Sequence, residues 1–158
     1  MTVRREGTVS SITELAARLR RLEDLEEIRA LRIRYGQCLD GKDFAGMAEL
    51  FTEDGELVAP LGVAKGRDAI AATIDGRLDE LPAGYHYYSN TEIKLDGDRA
   101  TQWVMFAYVQ PDSESWPKAW LTGHYNDDVV RVGGRWLFER VTITIDIGFA
   151  PYARRSEK

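Results

Sequence analysis

The hydrophobic period of this chain changes once, near residue 85, and that change restricts the fold more than any other feature. Before it, apolar residues recur every three or four positions, as on one helix face; after it they alternate, as in half-buried strands. Helices followed by several long strands predict an α+β domain, with helices packed on one face of a curved antiparallel sheet. The 158 residues suit one domain. We expect that domain to span residues 1–158, with a core of about 11–152.

The first helix has clear start and stop signals. Ser11-Ile12-Thr13-Glu14 has the Ser-x-x-Glu form of a capping box, and Gly41 stands where a C-cap would fall. The helix should therefore run to about Asp40. Its apolar stripe consists of Leu15, Leu19, Leu22, Leu25, Ile28, Leu31, Tyr35 and Cys38/Leu39. Asp43 should cap a short second helix, and a third helix should follow Gly66.

Four strands and two tight turns are predicted in the second half. The strands are Tyr85–Leu95, Arg99–Gln110, Lys118–Val132 and Arg135–Ile147. Two-residue loops at Asp96-Gly97 and Gly133-Gly134 would set the register of each hairpin; the alternative at the first turn is a longer loop over Asp96–Arg99. The resulting cross-strand pairs are His86 with Ala107, Asp127 with Arg140, Tyr125 with Thr142, and His124 with Ile143. Because they are adjacent, Asp127 and Arg140 are expected to form a structural ion pair, although a substrate clamp stays open.

Composition excludes several classes of function. The net charge of -5 and pI of about 5.1 argue against binding to nucleic acid or anionic membranes. No apolar run approaches the roughly 20 residues of a membrane helix, and the N-terminus has no signal-peptide pattern. A single cysteine, Cys38, and two histidines are too few for a zinc site made of those residue types alone. Phosphate-loop and nucleophile-elbow motifs are also absent, and no cofactor motif is visible. From these features together we expect a cytoplasmic protein with no metal and no cofactor.

Three residues are candidates for chemistry. Asp40 falls at the C-terminal end of the first helix, where the dipole disfavours a carboxylate by about 0.3–1 kcal/mol; the alternative is that Asp40 starts a turn and Tyr35 is a core aromatic. His86 is a candidate general base because histidine titrates near neutrality. The alternative for His86, and equally for His124, is a surface or structurally satisfied histidine.

Motifs across about four fifths of the chain resemble the SnoaL-like branch of the NTF2-like superfamily. They are Leu25-Glu26-Glu27-Ile28, Tyr35–Phe44, Leu50–Gly55, Gly66–Ile70, His86-x-x-x-Asn90, Asp96–Ala100, Gly123–Asp127 and Gly134-Arg135-Trp136. The resemblance implies a cone in which a curved sheet wraps around N-terminal helices. Within the superfamily, the chain looks most similar to bile acid 7-alpha-dehydratases, scytalone dehydratases and hexachlorocyclohexane dehydrochlorinases. These are cofactor-independent lyases, which assemble as dimers or trimers.

The resemblance also implies site residues. Asp40 and His86 match the catalytic aspartate–histidine dyad, Tyr35 matches a tyrosine five residues before the aspartate, and Asn90 recurs four residues after the histidine. The chain departs from the family at Ala107 and Thr144, where a dehydratase has a further aspartate and an arginine.

A mechanism follows for an apolar pocket. Asp40 would fix the tautomer of His86 and stabilise its imidazolium. His86 would remove a proton alpha, or vinylogous, to a carbonyl of a small hydrophobic molecule such as a steroid or polyketide. Tyr35 would donate a hydrogen bond to the oxyanion or leaving hydroxyl. The pocket lining is expected to be Asn90, Trp103, Met105, Phe106, Trp120 and Phe138. The alternatives are a non-catalytic module for ligand binding or assembly, and a structural oligomer filled by its own side chains.

Overall fold

The structure is a computed structural model that describes residues 11–60, 62–78, 84–110 and 119–149, with side chains left out at 74–78, 119–120 and 148–149. Three helices and one six-stranded sheet occupy these ranges. The helices are α1 (Ile12–Asp40), α2 (Phe44–Ala48) and α3 (Arg67–Leu78). The strands are β1 (Phe51–Ala59), β2 (Gly62–Lys65), β3 (Tyr85–Asp96), β4 (Arg99–Gln110), β5 (Ala119–Val132) and β6 (Arg135–Phe149). Helices on a curved sheet in the order β2-β1-β6-β5-β4-β3 confirm the predicted α+β class.

The caps of the first two helices form as predicted. The hydroxyl of Ser11 accepts a hydrogen bond from the Glu14 amide at 3.2 Å, and the Asp43 carboxylate accepts one from the Gly46 amide at 2.9 Å. Gly41 ends α1 with φ −84°, so the chain reverses at Lys42 instead, where φ is 55°. This reversal leads the chain from α1 into α2.

Only the second half of the α1 stripe is buried. Ile28, Leu31, Tyr35 and Leu39 lie in the core, whereas Ile12, Leu15, Leu19 and Leu22 are exposed. Periodicity correctly predicts one continuous stripe, but it does not predict how far the sheet covers it.

β1 and β2 were not predicted from the sequence. β1 pairs with β2 in antiparallel orientation and with β6 in parallel orientation. The pairs from β3 to β6 are all antiparallel, so the sheet contains one parallel pair. β1 carries Glu53, Asp54 and Glu56 within nine residues, which weakens the alternation that identifies a strand.

Irregularities in the ladders change both predicted registers. In β5–β6, Val129 pairs with Phe138 as the Gly133-Gly134 loop requires, but a shift between Asp128 and Val129 then places Asp127 opposite Val141. The predicted pairing of Asp127 with Arg140 is therefore wrong. Arg140 pairs with Asp128 instead and lies 3.5 Å from Glu56.

The same shift moves two further pairs by one position. Tyr125 pairs with Ile143 and His124 with Thr144, so both predicted partners are wrong.

The β3–β4 register also differs from the prediction. Asp96 pairs with Arg99, so the loop is Gly97-Asp98, and a second shift falls between Ser89 and Glu92. His86 therefore pairs with Tyr108, not Ala107. The residue beside His86 on the covered face of the sheet is an aromatic with a hydroxyl, not an alanine.

The core lies between the helices and one face of the sheet. Its fully buried members include Phe51, Ile70, Val104, Val129 and Phe138. We call this covered face the inner face and the opposite one the outer face. No helix within the described ranges is long and apolar enough to cross a membrane.

Candidate active site

The structure brings Asp40 and His86 into direct contact, although they are 46 residues apart in sequence. Nδ1 of His86 lies 2.6 Å from Oδ1 of Asp40. The backbone N–H of His86 also donates to the Asp40 carboxylate, at 3.0 and 3.2 Å from its two oxygens. The side chains are 10% (His86) and 21% (Asp40) exposed, so the pair is sheltered but reachable.

Backbone geometry explains why these residues meet. Asp40 is the last residue of α1 and His86 the second residue of β3, so their contact joins the end of the helix to the start of the strand. The bonds from His86 offset the unfavourable helix dipole, because charge-assisted hydrogen bonds each contribute about 1.5–3 kcal/mol. An ionised carboxylate only accepts hydrogen bonds, so Nδ1 of His86 carries the proton and Nε2 is left as the basic atom.

Aromatic rings surround His86. Ring centroids lie 4.8 Å away for Tyr108, 6.2 Å for Phe106 and 6.3 Å for Tyr88, which is stacked at 21°. Two glycines make room for these rings: a Cβ on Gly36 would lie 2.7 Å from Tyr88, and one on Gly84 would lie 2.4 Å from Tyr108. The imidazole thus lies among aromatic ring surfaces.

A buried ion pair, which was not predicted from the sequence, lies next to the Tyr88 ring. Nη2 of Arg32 contacts Oδ1 of Asp127, with exposures of 2% and 0%. The guanidinium carbon lies 4.1 Å from the ring centroid of Tyr125, 4.5 Å from that of Tyr35 and 6.0 Å from that of Tyr88. We call Arg32, Asp127 and these three tyrosines the phenol cluster.

Burial governs the ionisation of the phenol cluster. It raises the pKa of Tyr88 to about 12, although Arg32 acts in the opposite direction. The pKa values of Tyr35 and Tyr125 are raised for the same reason. The pKa of Asp127 is raised by burial against the lowering influence of Arg32. All three phenols therefore stay protonated at neutral pH and can act as hydrogen-bond donors.

Tyr35 lies in the phenol cluster, fully buried. Its ring is 5.8 Å from Phe138, 5.9 Å from Tyr125 and 6.2 Å from Phe51. Arg32 is beside the Tyr35 hydroxyl, but the hydroxyl makes no hydrogen bond of normal geometry within the described residues. The core-aromatic and donor interpretations of Tyr35 are thus both compatible with its position.

The predicted lining residues separate onto two faces. Phe106 and Phe138 are on the inner face and buried, with Phe106 next to His86. Trp103 and Met105 alternate with buried Val104 and Phe106, so they lie on the outer face and are not brought to the dyad. The side chain of Trp120 is outside the described residues. Asn90 is exposed at the β3 irregularity, with φ 51°, and donates to the Met105 sulfur at 3.2 Å.

A second histidine–aspartate pair occupies the outer face. Nδ1 of His124 is 3.0 Å from Oδ2 of Asp146, and the His124 ring is 5.8 Å from that of Trp103. Thr144, where the resemblance would place an arginine, pairs with His124 and so belongs to this face, as does Ala107. Across the described ranges, no group of three or more His, Cys, Asp or Glu side chains could hold a metal ion.

Sequence reasoning missed Arg32, Tyr88 and Tyr108 as neighbours of the site. Tyr88 could have been found from alternation, since it shares a strand face with His86 two residues away. Arg32 lies on α1 at three residues before Tyr35, which puts both on one helix face. Tyr108 could not have been found, because its position depends on the register shift in β3.

The fold and the Asp40–His86 pair define an α+β protein with an acid–imidazole contact between its first long helix and its sheet. Residues 20–142 match the SnoaL-like domain model, and the chain belongs to the SnoaL-like family. No curated protein matches the chain.

Solved structures support the fold. An NTF2-like protein with a cystatin-like fold from Novosphingobium aromaticivorans is 32% identical, with 90% of this chain and 95% of that chain covered and a TM-score of 0.77. From the same organism, a protein described as "Putative Scytalone Dehydratase" is 28% identical, covering 85% and 91%, with a TM-score of 0.74. A hexachlorocyclohexane dehydrochlorinase (LinA type 2) shares the fold at 17% identity, covering 83% and 90%, with a TM-score of 0.75.

Proposed function

We propose that this protein is a cofactor-independent lyase or isomerase, of the dehydratase type, acting on a small hydrophobic carbonyl compound such as a steroid or polyketide. The observation that carries the proposal is the 2.6 Å contact between Asp40 and His86 in an aromatic environment. The fold shared with dehydratase and dehydrochlorinase structures supports the same class of reaction.

Proton transfer by His86 is the central step of the proposed mechanism. Nε2 takes a proton from the carbon alpha to the carbonyl, and the C–H electron pair moves to the carbonyl oxygen to give an enolate. In an elimination, that pair returns to form the carbon–carbon double bond as a β-hydroxyl leaves, taking a proton from the imidazolium to depart as water. In an isomerisation, the imidazolium returns the proton to another carbon of the conjugated system. Neither route needs an oxidant or reductant.

Asp40 and Tyr35 have supporting roles in this proposal. Asp40 holds Nδ1–H, so that Nε2 faces the ligand as the base, and it stabilises the imidazolium after proton transfer. Tyr35 donates a hydrogen bond to the developing oxyanion or the leaving hydroxyl. Positioned general acid–base groups of this kind contribute about 10²–10⁴-fold to a rate.

Turnover of a panel of steroid and polyketide-like enones and β-hydroxy ketones tests the proposal. His86→Ala should abolish activity on any substrate that the panel reveals. His124→Ala is the matched control, because it removes the other histidine–aspartate pair, which lies on the outer face. Full activity in His86→Ala would refute the assignment, and loss of activity in both variants would point to damage to the fold.

We also propose that the protein forms a homo-oligomer, a dimer or trimer, through the outer face. Tyr85, Tyr87 and Ile147 are exposed there, and exposed apolar side chains of this kind are typical of subunit contacts. Light scattering coupled to gel filtration tests this: Tyr87→Glu should shift the mass towards that of one chain. A monomeric wild-type protein would refute it.

A further inference from the structure

The side of α1 that faces away from the sheet carries a row of exposed apolar residues. Leu19 and Ile28 are nine residues apart, which is two and a half helical turns, so they point to opposite sides of α1. Ile28 is fully buried in the core, and Leu19 therefore faces solvent. We call the solvent-facing row the α1 seam; its members, which are between 51% and 88% exposed, are Ile12, Leu15, Leu19, Leu22 and Ile33.

Most of the α1 seam lies on a part of the helix that extends beyond the rest of the domain. From Ile12 to Glu23 every residue except Ala16 is exposed. An isolated helix shorter than about 12–15 residues is only marginally stable in water, and neighbouring exposed apolar side chains are typical of contact surfaces. The α1 seam is therefore a surface that a further helix would stabilise by covering it.

The spacing of the α1 seam is that of a two-stranded coiled coil. Its first four members follow at steps of three, four and three residues, which are the a and d positions of two consecutive heptads: Ile12, Leu15, Leu19 and Leu22. The next two positions are Glu26 and Arg29, which form an ion pair with each other at 3.6 Å, and Ile33 follows them. A second copy of this chain offers the same pattern, so a two-fold pair would be self-complementary.

Charges beside the α1 seam favour a parallel pair. In a parallel pair, Arg18 at a g position faces Glu23 at the next e position of the second copy, and symmetry gives this ion pair twice. An antiparallel pair that aligns the same four apolar residues brings the two Arg18 side chains together, and like charges destabilise such a contact. A parallel pair also keeps the two domains apart, because each domain extends from the side of α1 opposite to the α1 seam.

We propose that two copies of this chain associate in parallel through the α1 seam, as a short coiled coil flanked by Arg18–Glu23 ion pairs. This contact uses neither the Asp40–His86 pair nor the outer face of the sheet. It is therefore separate from both the activity and the outer-face contact proposed above.

Disulfide cross-linking tests the pairing at a single residue. In a Cys38→Ser background, which leaves the introduced thiol as the one cysteine, Leu22→Cys should cross-link in a glutathione redox buffer. The reason is that equivalent d positions of a parallel pair face each other within the reach of a disulfide. Ala17→Cys is the matched control, because Ala17 is also exposed but lies on the opposite side of α1, and it should not cross-link.

Reversing one charge tests the orientation. Arg18→Glu, added to Leu22→Cys, should weaken association about 10-fold, because both attractive pairs become repulsive. Glu23→Arg in the same chain should restore the cross-link, since the two charges have then exchanged places. Tyr87→Glu, which targets the outer face, should leave the cross-link unchanged.

Each other outcome overturns the proposal. If Leu22→Cys cross-links no more than Ala17→Cys, the seam does not pair two copies, whatever else covers it. A disulfide that joins Leu22→Cys to Ile12→Cys, in place of two Leu22→Cys chains, would establish an antiparallel contact instead. A loss in Arg18→Glu that Glu23→Arg fails to restore would contradict the ion pair, and a loss in Tyr87→Glu would show that the contact is not separate from the outer face.

Discussion

Removing the charge of Arg32 should destabilise the fold strongly. Arg32 and Asp127 are 2% and 0% exposed, so Arg32→Met would leave a carboxylate buried without its counter-charge. Loss of one partner from such a pair costs about 3–5 kcal/mol, a large part of the roughly 5–15 kcal/mol that holds a domain folded. Urea unfolding followed by tryptophan fluorescence would measure the change in the free energy of unfolding, since Trp136 is buried in the core.

The loss of unfolding free energy in Arg32→Met should also depend on pH. Burial raises the pKa of Asp127, and Arg32 counteracts it; without Arg32, the folded-state pKa lies further above the unfolded value. A carboxyl with a raised folded-state pKa favours folding at low pH and opposes it as pH rises. The stability difference from wild type should therefore be smaller at about pH 5 than at about pH 8.

Arg140→Met provides the matched control for this experiment. Its partner Glu56 is 3.5 Å away and the Arg140 side chain is 49% exposed, so loss of this pair should cost less than about 1 kcal/mol. Two results would contradict this reasoning about the buried pair. One is an equal loss of unfolding free energy in the two variants, and the other is a loss in Arg32→Met that becomes larger at low pH.

Three further changes should have distinct results. Tyr88→Phe should lower the free energy of unfolding by about 1 kcal/mol, because it removes a buried hydroxyl that interacts with the Arg32 guanidinium, whereas Tyr87→Phe should not; equal stability of Tyr88→Phe and wild type in urea titration would contradict this. Asp40→Asn should lower kcat by about 10²–10⁴-fold in steady-state assays, because a neutral amide does not stabilise the positive charge that His86 gains when it takes a proton; an unchanged kcat would remove Asp40 from the mechanism. Gly36→Ala should lower the free energy of unfolding by about 1–3 kcal/mol, because its methyl group displaces Tyr88. An unchanged free energy of unfolding would show that the ring has room to move.

Much of the architecture could be predicted from local patterns. The capping residues Ser11 and Asp43 and the change of period at residue 85 predict α1, α2 and β3–β6 closely, because each signal acts within a few residues of its effect. β1 was missed because its acidic residues mask its alternation, and its pairing with β6 joins segments more than 80 residues apart.

The candidate site, like the architecture, could be predicted only in part. The sequence by itself determined that Asp40 ends a helix and that His86 begins a strand, since both follow from caps and periodicity. Only the tertiary structure decided what surrounds them: a one-residue shift in β3–β4 brought Tyr108 beside His86, and another in β5–β6 placed Val141, not Arg140, opposite Asp127, whose ion-pair partner is Arg32. The physical reason is that alternation in a strand has a period of two, so a single bulge transfers every later side chain to the other face. No local sequence signal marks the position of such a bulge.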